Sequence, residues 1–291
     1  MSVLVLGAGG QVGSALRWTA LARGISTVGL RHDELDIADG SAVRRIIADL
    51  RPAAVVNCAA YTAVDRAEDE PERAHAINAD GAGNVAVACA LEAVPLIHLS
   101  TDYVFDGEKP GAWVEDDPVG PVGVYARTKE EGERQVRDAW GKHLILRTSW
   151  VFGAIGTNFV KTMWRLADEG RTQLSVVVDQ RGGPTPADAI AGACLDMVAR
   201  IDGADIVPWG TYHFAGSPAV TWYDFARVVL SGRRGLDLQP TTTAAYGARA
   251  PRPANSVLDC SRIRAAFGIE QPDWRVYLER MRQDLGPARG D

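Results

Sequence analysis

The chain has 291 residues, a formal net charge of −6 and an apolar fraction of 46%. That length can bury one large α/β core or two intergrown ones, and the apolar share is that of a folded globular protein. No cation run exceeds a pair, and no apolar stretch nears the ~20 residues of a membrane helix, so neither nucleic acid nor membrane is expected as a partner.

The first element is "SVLVLG", a short β-branched run with no signal-peptide pattern around it. Glycines follow at once, and then "SALRWTALARG" has helical spacing. "ISTVGL" reads as a second strand. "SAVRRIIADLRP" reads as a helix with a serine cap and a proline stop. "AAVVNCAA" is a third strand, and "AEDEPERAHAINADGAGNVAVACALEA" is one long helical stretch. Thr62 is the expected cap for the acidic turn Asp65–Glu68. "VPLIHLS" is the next strand, followed by a polar loop, the helix "VYARTKEEGERQVRDAW" and the strand "HLILRTSWVFG".

This β-α-β-α alternation predicts an α/β protein whose parallel sheet carries helices on both faces. Past residue 152 the prolines at 184, 186, 208 and 218 break the text into shorter elements. Helices are expected at "NFVKTMWRLADEG", "ADAIAGACLDMVARI" and "TWYDFARVVLSG". The expected division is a dinucleotide-binding part over 1–151, rejoined by part of 187–215, and a smaller substrate lobe mainly over 152–291. Cys58, Cys89, Cys194 and Cys260 form no CxxC pair and read as core residues of a reducing, cytoplasmic protein.

"GAGGQVGSAL" places Gly7, Gly10 and Gly13 between a strand and a helix. Glycines there permit a tight turn and bring a diphosphate against N–H groups at the helix start. Gln11 and Val12 lie inside this loop. At the end of the second strand, where a carboxylate would select NAD, stands Arg31, suited to a 2′-phosphate. NADPH is therefore the expected cofactor, with NADH also possible. Asp36 and Ile37 follow where adenine would be held.

The strand "VPLIHLS" runs into "STDYVFDG", where Ser100, Thr101, Asp102, Tyr103 and Asp106 arrive together. Strand ends of open parallel sheets are where ligands sit, although Asp and Gly are also ordinary turn residues. "VYARTKEEGE" puts Tyr125 and Lys129 four apart on one helix face. A nearby ammonium is expected to draw the tyrosine down from its free value of ~10. Thr101 would then hold a substrate carbonyl while Tyr125 protonates it.

With "GAGGQVG", "NCAAYTAVDRAE", "STDYVFDG", "VYARTKEEGE", "LRTSWVFG", "DQRGGPT" and "RPANSVL", the chain resembles an extended short-chain dehydrogenase/reductase. Within that superfamily it is similar to the dTDP-4-dehydrorhamnose reductases. The resemblance implies a Rossmann-type doubly wound fold and reduction of the 4-keto group of a dTDP-linked 6-deoxyhexulose by NAD(P)H. It implies Thr101, Tyr125 and Lys129 as the catalytic set, with threonine where many relatives have serine. It also implies Asp102 and Trp150 as substrate contacts, and Ala60, Tyr61 and Thr62 as cofactor contacts. Arg181 in "DQRGGPT", with Arg252 and Asn255 in "RPANS", would meet the nucleotide half of the substrate. Asp188 and Asp284 lie near places where some members bridge subunits through Mg²⁺, but both are aspartate rather than glutamate. Metal use, and monomer against homodimer, stay open. Two alternatives remain: a 4-ketoreductase for another dTDP-deoxysugar in natural-product biosynthesis, and a non-catalytic nucleotide-binding regulatory subunit.

Overall fold

The structure is a computed structural model that describes residues 2–203, 206–233 and 235–285. In chain order the elements are β1 (Ser2–Leu6), α1 (Gln11–Ala22), β2 (Ser26–Leu30), α2 (Gly40–Leu50) and β3 (Ala54–Asn57). Next come α3 (Val64–Ala67), α4 (Pro71–His75), a π turn (Ala76–Asp80), α5 (Gly81–Leu91), β4 (Leu96–Thr101), α6 (Val124–Ala139) and β5 (His143–Thr148). They are followed by β6 (Val151–Phe152), α7 (Phe159–Asp168), β7 (Gln173–Val177), β8 (Arg181–Gly182), β9 (Thr185–Pro186), α8 (Ala187–Gly203) and β10 (Gly210–His213). The last are β11 (Val220–Thr221), α9 (Trp222–Val229), β12 (Asp237–Thr241), α10 (Thr243–Tyr246), β13 (Asn255–Ser256), α11 (Ser261–Phe267) and α12 (Trp274–Leu285).

The main sheet has six strands in the order β10-β5-β4-β3-β1-β2, and every pairing in it is parallel. Its inner strands are near-continuous apolar runs because both faces are covered. One face packs Val3, Val5, Val56, Ile97, Leu144 and Leu146 against α1, α8 and α11. The other packs Leu4, Leu6, Val55, Leu96 and Ile145 against α2, α5 and α6. Strand order reverses between β1 and β3, so a crevice opens beyond their carboxyl ends. Residues 187–203 lie against α1, and residues 210–213 extend the sheet beside β5.

A separate core holds Phe152, Val160, Trp164, Phe225, Trp274 and Leu278, gathered from β6, α7, α9 and α12. Around it run short pairings: β12 with β7, β6 with β9, and β8 between β11 and β13.

Several local expectations are corrected. Asp39, not a serine, caps α2, accepting from the N–H groups of Ser41 and Ala42. Ala63 is the N-cap of α3, with no side-chain cap bond, so Thr62 does not cap that turn. The long helical stretch is broken: α4 starts at Pro71, and a π turn at Ala76–Asp80 separates it from α5. "HLILRTSWVFG" is two strands, because Trp150 adopts a left-handed backbone with φ of 48° between them.

Candidate active site

β1 ends in a turn that only glycine fits. Gly7 has φ of 72°, and a Cβ there would stand 2.6 Å from the Ala59 nitrogen on the neighbouring strand end. A Cβ on Gly13 would stand 2.3 Å from the Gly7 carbonyl oxygen, so the first turn of α1 folds back onto the loop. Gly10 is the N-cap of α1 and supplies no side-chain cap bond, which leaves N–H groups of the first turn for an anion.

From this loop a cleft of about 540 Å³ runs across the ends of β3 and β4 to the helix α6. Gly10, Gln11, Val12, Gly13, Ala60 and Thr62 line its loop side, and Thr101, Asp102, Tyr125, Lys129 and Trp150 line the rest. The structure thus brings together eleven of the residues expected from the sequence. Other expected residues lie elsewhere. Ile37 is 3% exposed and packs in the core, where a Cβ on Gly81 would touch it. The Asp36 carboxylate accepts from the Ala38 N–H. The Tyr61 hydroxyl donates to Glu70. The stem of Arg31 lies over Gly9, and its guanidinium is paired with Asp33 on the surface.

At the end of β4, the Thr101 hydroxyl donates to Asp102 Oδ1 at 3.0 Å and accepts from the Tyr103 N–H at 3.2 Å. Its single proton is therefore spent on Asp102. Three buried polar atoms have no hydrogen-bond partner among the described residues: Ser100 Oγ, Asp102 Oδ2 and Thr148 Oγ1. All three residues line the cleft. Burial pushes the Asp102 carboxyl up to about 6, against the hydrogen bond from Thr101.

Lys129 is 2% exposed, and its Nζ donates to the Leu99 carbonyl at 2.7 Å. Burial draws it down to about 8, against the Glu133 carboxylate one turn on. Burial also pushes the Tyr125 phenol up to about 12. This corrects the expectation of a lowered phenol. The phenolate is thereby disfavoured, and the Lys129 ammonium is directed at Leu99. Tyr125 consequently keeps its proton at neutral pH, which a proton donor requires.

Beneath the cleft, Arg147 on β5 forms a two-pronged ion pair with Glu133 on α6, at 2.9 and 2.7 Å, with both side chains buried. It fixes the helix that carries Tyr125 and Lys129 to the sheet. The Trp150 indole stacks on Trp222 with centroids 3.6 Å apart, and a Cβ on Gly182 would stand 2.6 Å from its ring.

A second cavity of about 280 Å³ shares Tyr103 and Trp222 with the cleft and is lined further by Phe159, Gln180, Tyr246 and Arg252. Arg252 donates to Asp65 at 2.7 Å and is mostly covered. Arg181 is exposed and lines neither space. The Asn255 amide donates to the carbonyls of Lys109 and Gly111, so it braces a loop outside both. Asp188 and Asp284 are exposed on α8 and α12. Among the described residues, no group of three His, Cys, Asp or Glu side chains is placed to hold a metal ion.

Sequence reasoning missed Asn78, Asn158, Cys58 and Trp222. Asn78, in the π turn, grips the Tyr61 backbone from both sides and donates to the Thr128 hydroxyl. Asn158, the cap of α7, donates to Gln11, tying the second lobe to the glycine loop. Asn158 had a signal, an Asn just before a helix, whereas Asn78 lies inside what the sequence reads as one helical stretch, and no local pattern names the partners of either.

Residues 1–286 match the family described as "RmlD substrate binding domain". A dTDP-4-dehydrorhamnose reductase of Aggregatibacter actinomycetemcomitans is 42% identical over 96% of this chain and 98% of its own. Another from Sinorhizobium fredii is 43% identical over 97% and 96%. The crystal structure of the Bacillus anthracis dTDP-4-dehydrorhamnose reductase in complex with NADP superposes with a TM-score of 0.91, at 36% identity, over 97% of this chain and 99% of that one.

Proposed function

The chain belongs to the dTDP-4-dehydrorhamnose reductase family, and we propose that it is an NAD(P)H-dependent reductase of the 4-keto group of dTDP-4-dehydrorhamnose. The observation that carries this reading is the gathering, in one cleft below the glycine loop, of a protonated Tyr125, the Lys129 ammonium and three unpartnered polar atoms. Unpaired buried polar groups are costly, and a polyhydroxylated ligand would supply their partners.

Gly7, Gly10 and Gly13, the first turn of α1, Ala60 and Thr62 would hold the dinucleotide. Arg31 at the loop edge favours the 2′-phosphate of NADPH over NADH. When bound, the cofactor supplies the hydride that the sugar carbon receives. Tyr125 gives its proton to the carbonyl oxygen. Thr101, turning from Asp102, donates a second hydrogen bond there. Asp102 keeps its unpartnered Oδ2 for a sugar hydroxyl. The stacked Trp150 and Trp222 give the sugar an apolar wall. Residues 1–151 with part of 187–215 would form the cofactor part, and the rest of 152–291 the substrate lobe. The second cavity, with Arg252 at its rim, suits the thymidine diphosphate half.

Purified protein given NADPH and a panel of nucleotide-linked 4-keto sugars tests the reading, with each product identified by NMR. Turnover is expected with the dTDP sugar, and thymidine diphosphate should compete with the sugar and not with NADPH. No binding of thymidine diphosphate would overturn the assignment.

A further inference from the structure

Lys129 has a neighbour that the reaction does not explain. His98 on β4 is 1% exposed, and its Nε2 stands 3.5 Å from Lys129 Nζ. In the sheet register His98 lies directly opposite Asn57 on β3. The Asn57 side chain has one possible orientation. Its Oδ1 accepts the Ala59 N–H at 3.1 Å, which leaves the amide nitrogen 3.2 Å from His98 Nδ1. That nitrogen can only donate, so Nδ1 is the acceptor. Burial keeps the His98 ring neutral, far below its ordinary value. A neutral ring that accepts at Nδ1 carries its proton on Nε2. The Nε2–H therefore faces Lys129.

An ammonium at Nζ meets that N–H donor to donor, whereas a neutral amine meets it with a lone pair. We propose that Asn57 and His98 form a tautomer lock that presents an N–H to Lys129 and favours its neutral amine, a pair of positioning residues acting on the Tyr125–Lys129 site. The inference rests on the proposed function only in placing Lys129 beside Tyr125 in the reacting cleft. The charged and titratable groups around the amine are Glu133 and Tyr125 on its own helix, Cys58 at the end of β3, and His98 on β4. Around the imidazole stand Lys129, Glu133, His143 and Arg137. Glu133 favours the ammonium first and Cys58 after it, and Glu133 is already held by Arg147 and Arg137. Burial and the lock act together against it, keeping both forms of Lys129 within reach of neutral pH.

Asn57→Asp tests the lock. The carboxylate keeps the bond to Ala59 but offers His98 an acceptor, so the ring should move its proton to Nδ1 and turn a lone pair toward Lys129. In the resting protein, nitrogen NMR of labelled histidine should find the His98 proton on Nε2 in wild type and on Nδ1 in Asn57→Asp. The chain has four lysines, so the Lys129 signal of protein labelled at lysine Cε is assigned by its loss in Lys129→Met. Its titration midpoint should rise by about one pH unit in Asn57→Asp, a roughly tenfold shift. A wild-type His98 protonated on Nδ1, or an unmoved Lys129 midpoint in folded Asn57→Asp, overturns the lock. If Asn57→Asp does not fold, the wild-type histidine spectrum still decides. Neither spectrum needs turnover, so an inactive wild-type protein would count against the proposed reaction and leave the lock standing.

Discussion

Gly132 on α6 lies so close to Asn78 in the π turn that a Cβ there would stand 2.1 Å from the Asn78 carbonyl oxygen. This contact sets how deeply the helix carrying Tyr125 and Lys129 docks, because Asn78 in turn grips Tyr61 and Thr128. Backbone cannot yield as a flexible side chain can. Gly132→Ala should cost about 1–3 kcal/mol of stability, the usual range for overpacking, and lower kcat with it. Urea unfolding and steady-state rates check this. Unchanged values in both would mean that α6 docks by other contacts.

Tyr125→Phe removes one hydroxyl and should leave fold and NADPH affinity intact while kcat falls by roughly 10²–10⁴. The wild-type pH profile of kcat/KM should be bell-shaped. It should rise as Asp102 ionises near about 6 and fall as Lys129 loses its proton near about 8. Asp102→Asn should abolish the acid limb and spare the basic one. An acid limb that survives in Asp102→Asn assigns it to another group.

Much of this site was legible because its signals are local. A glycine triplet after a strand and a tyrosine four residues before a lysine each need only a short window, and β1 and α6 set them side by side across the sheet. Arg181 and Asn255 were placed by motif, and motif does not say which way a side chain turns. Asn255 braces Lys109 and Gly111 instead. Ile37 looked available to adenine, yet an apolar side chain beside a loop is drawn into the nearest core. Asn78 and His98 act through partners distant in sequence, Thr128 and Lys129, which no spacing rule connects.

Glu133→Gln should destabilise the fold by about 3–5 kcal/mol, since it leaves Arg147 buried without its counter-charge. Burial alone would raise the Glu133 carboxyl, but Arg147 and then Arg137 hold it at about 2, below the free 4.5. Its contribution is therefore complete above pH 4.5 and is lost as pH falls through about 2. Urea melts at neutral and acid pH should show the gap between wild type and Glu133→Gln close on acidification. A constant gap contradicts the pairing.

Arg31→Ala should shift cofactor choice toward NADH, lowering kcat/KM for NADPH while sparing NADH. The pair with Asp33 is exposed and readily exchanged for a phosphate. Equal effects on both cofactors would make Arg31 a surface charge only.

The central claim is that this cleft moves a hydride to C4 of a dTDP-linked sugar while Tyr125 supplies the proton. The most direct measurement uses NADPH deuterated at nicotinamide C4, dTDP-4-dehydrorhamnose and purified protein, with NMR of the sugar product. The expected result is one cofactor oxidised per sugar, with deuterium at C4 and none when Tyr125→Phe replaces the wild type over the same time. Protein that binds both ligands yet leaves the 4-keto sugar unreduced would contradict it and make the chain a regulatory nucleotide-binding subunit.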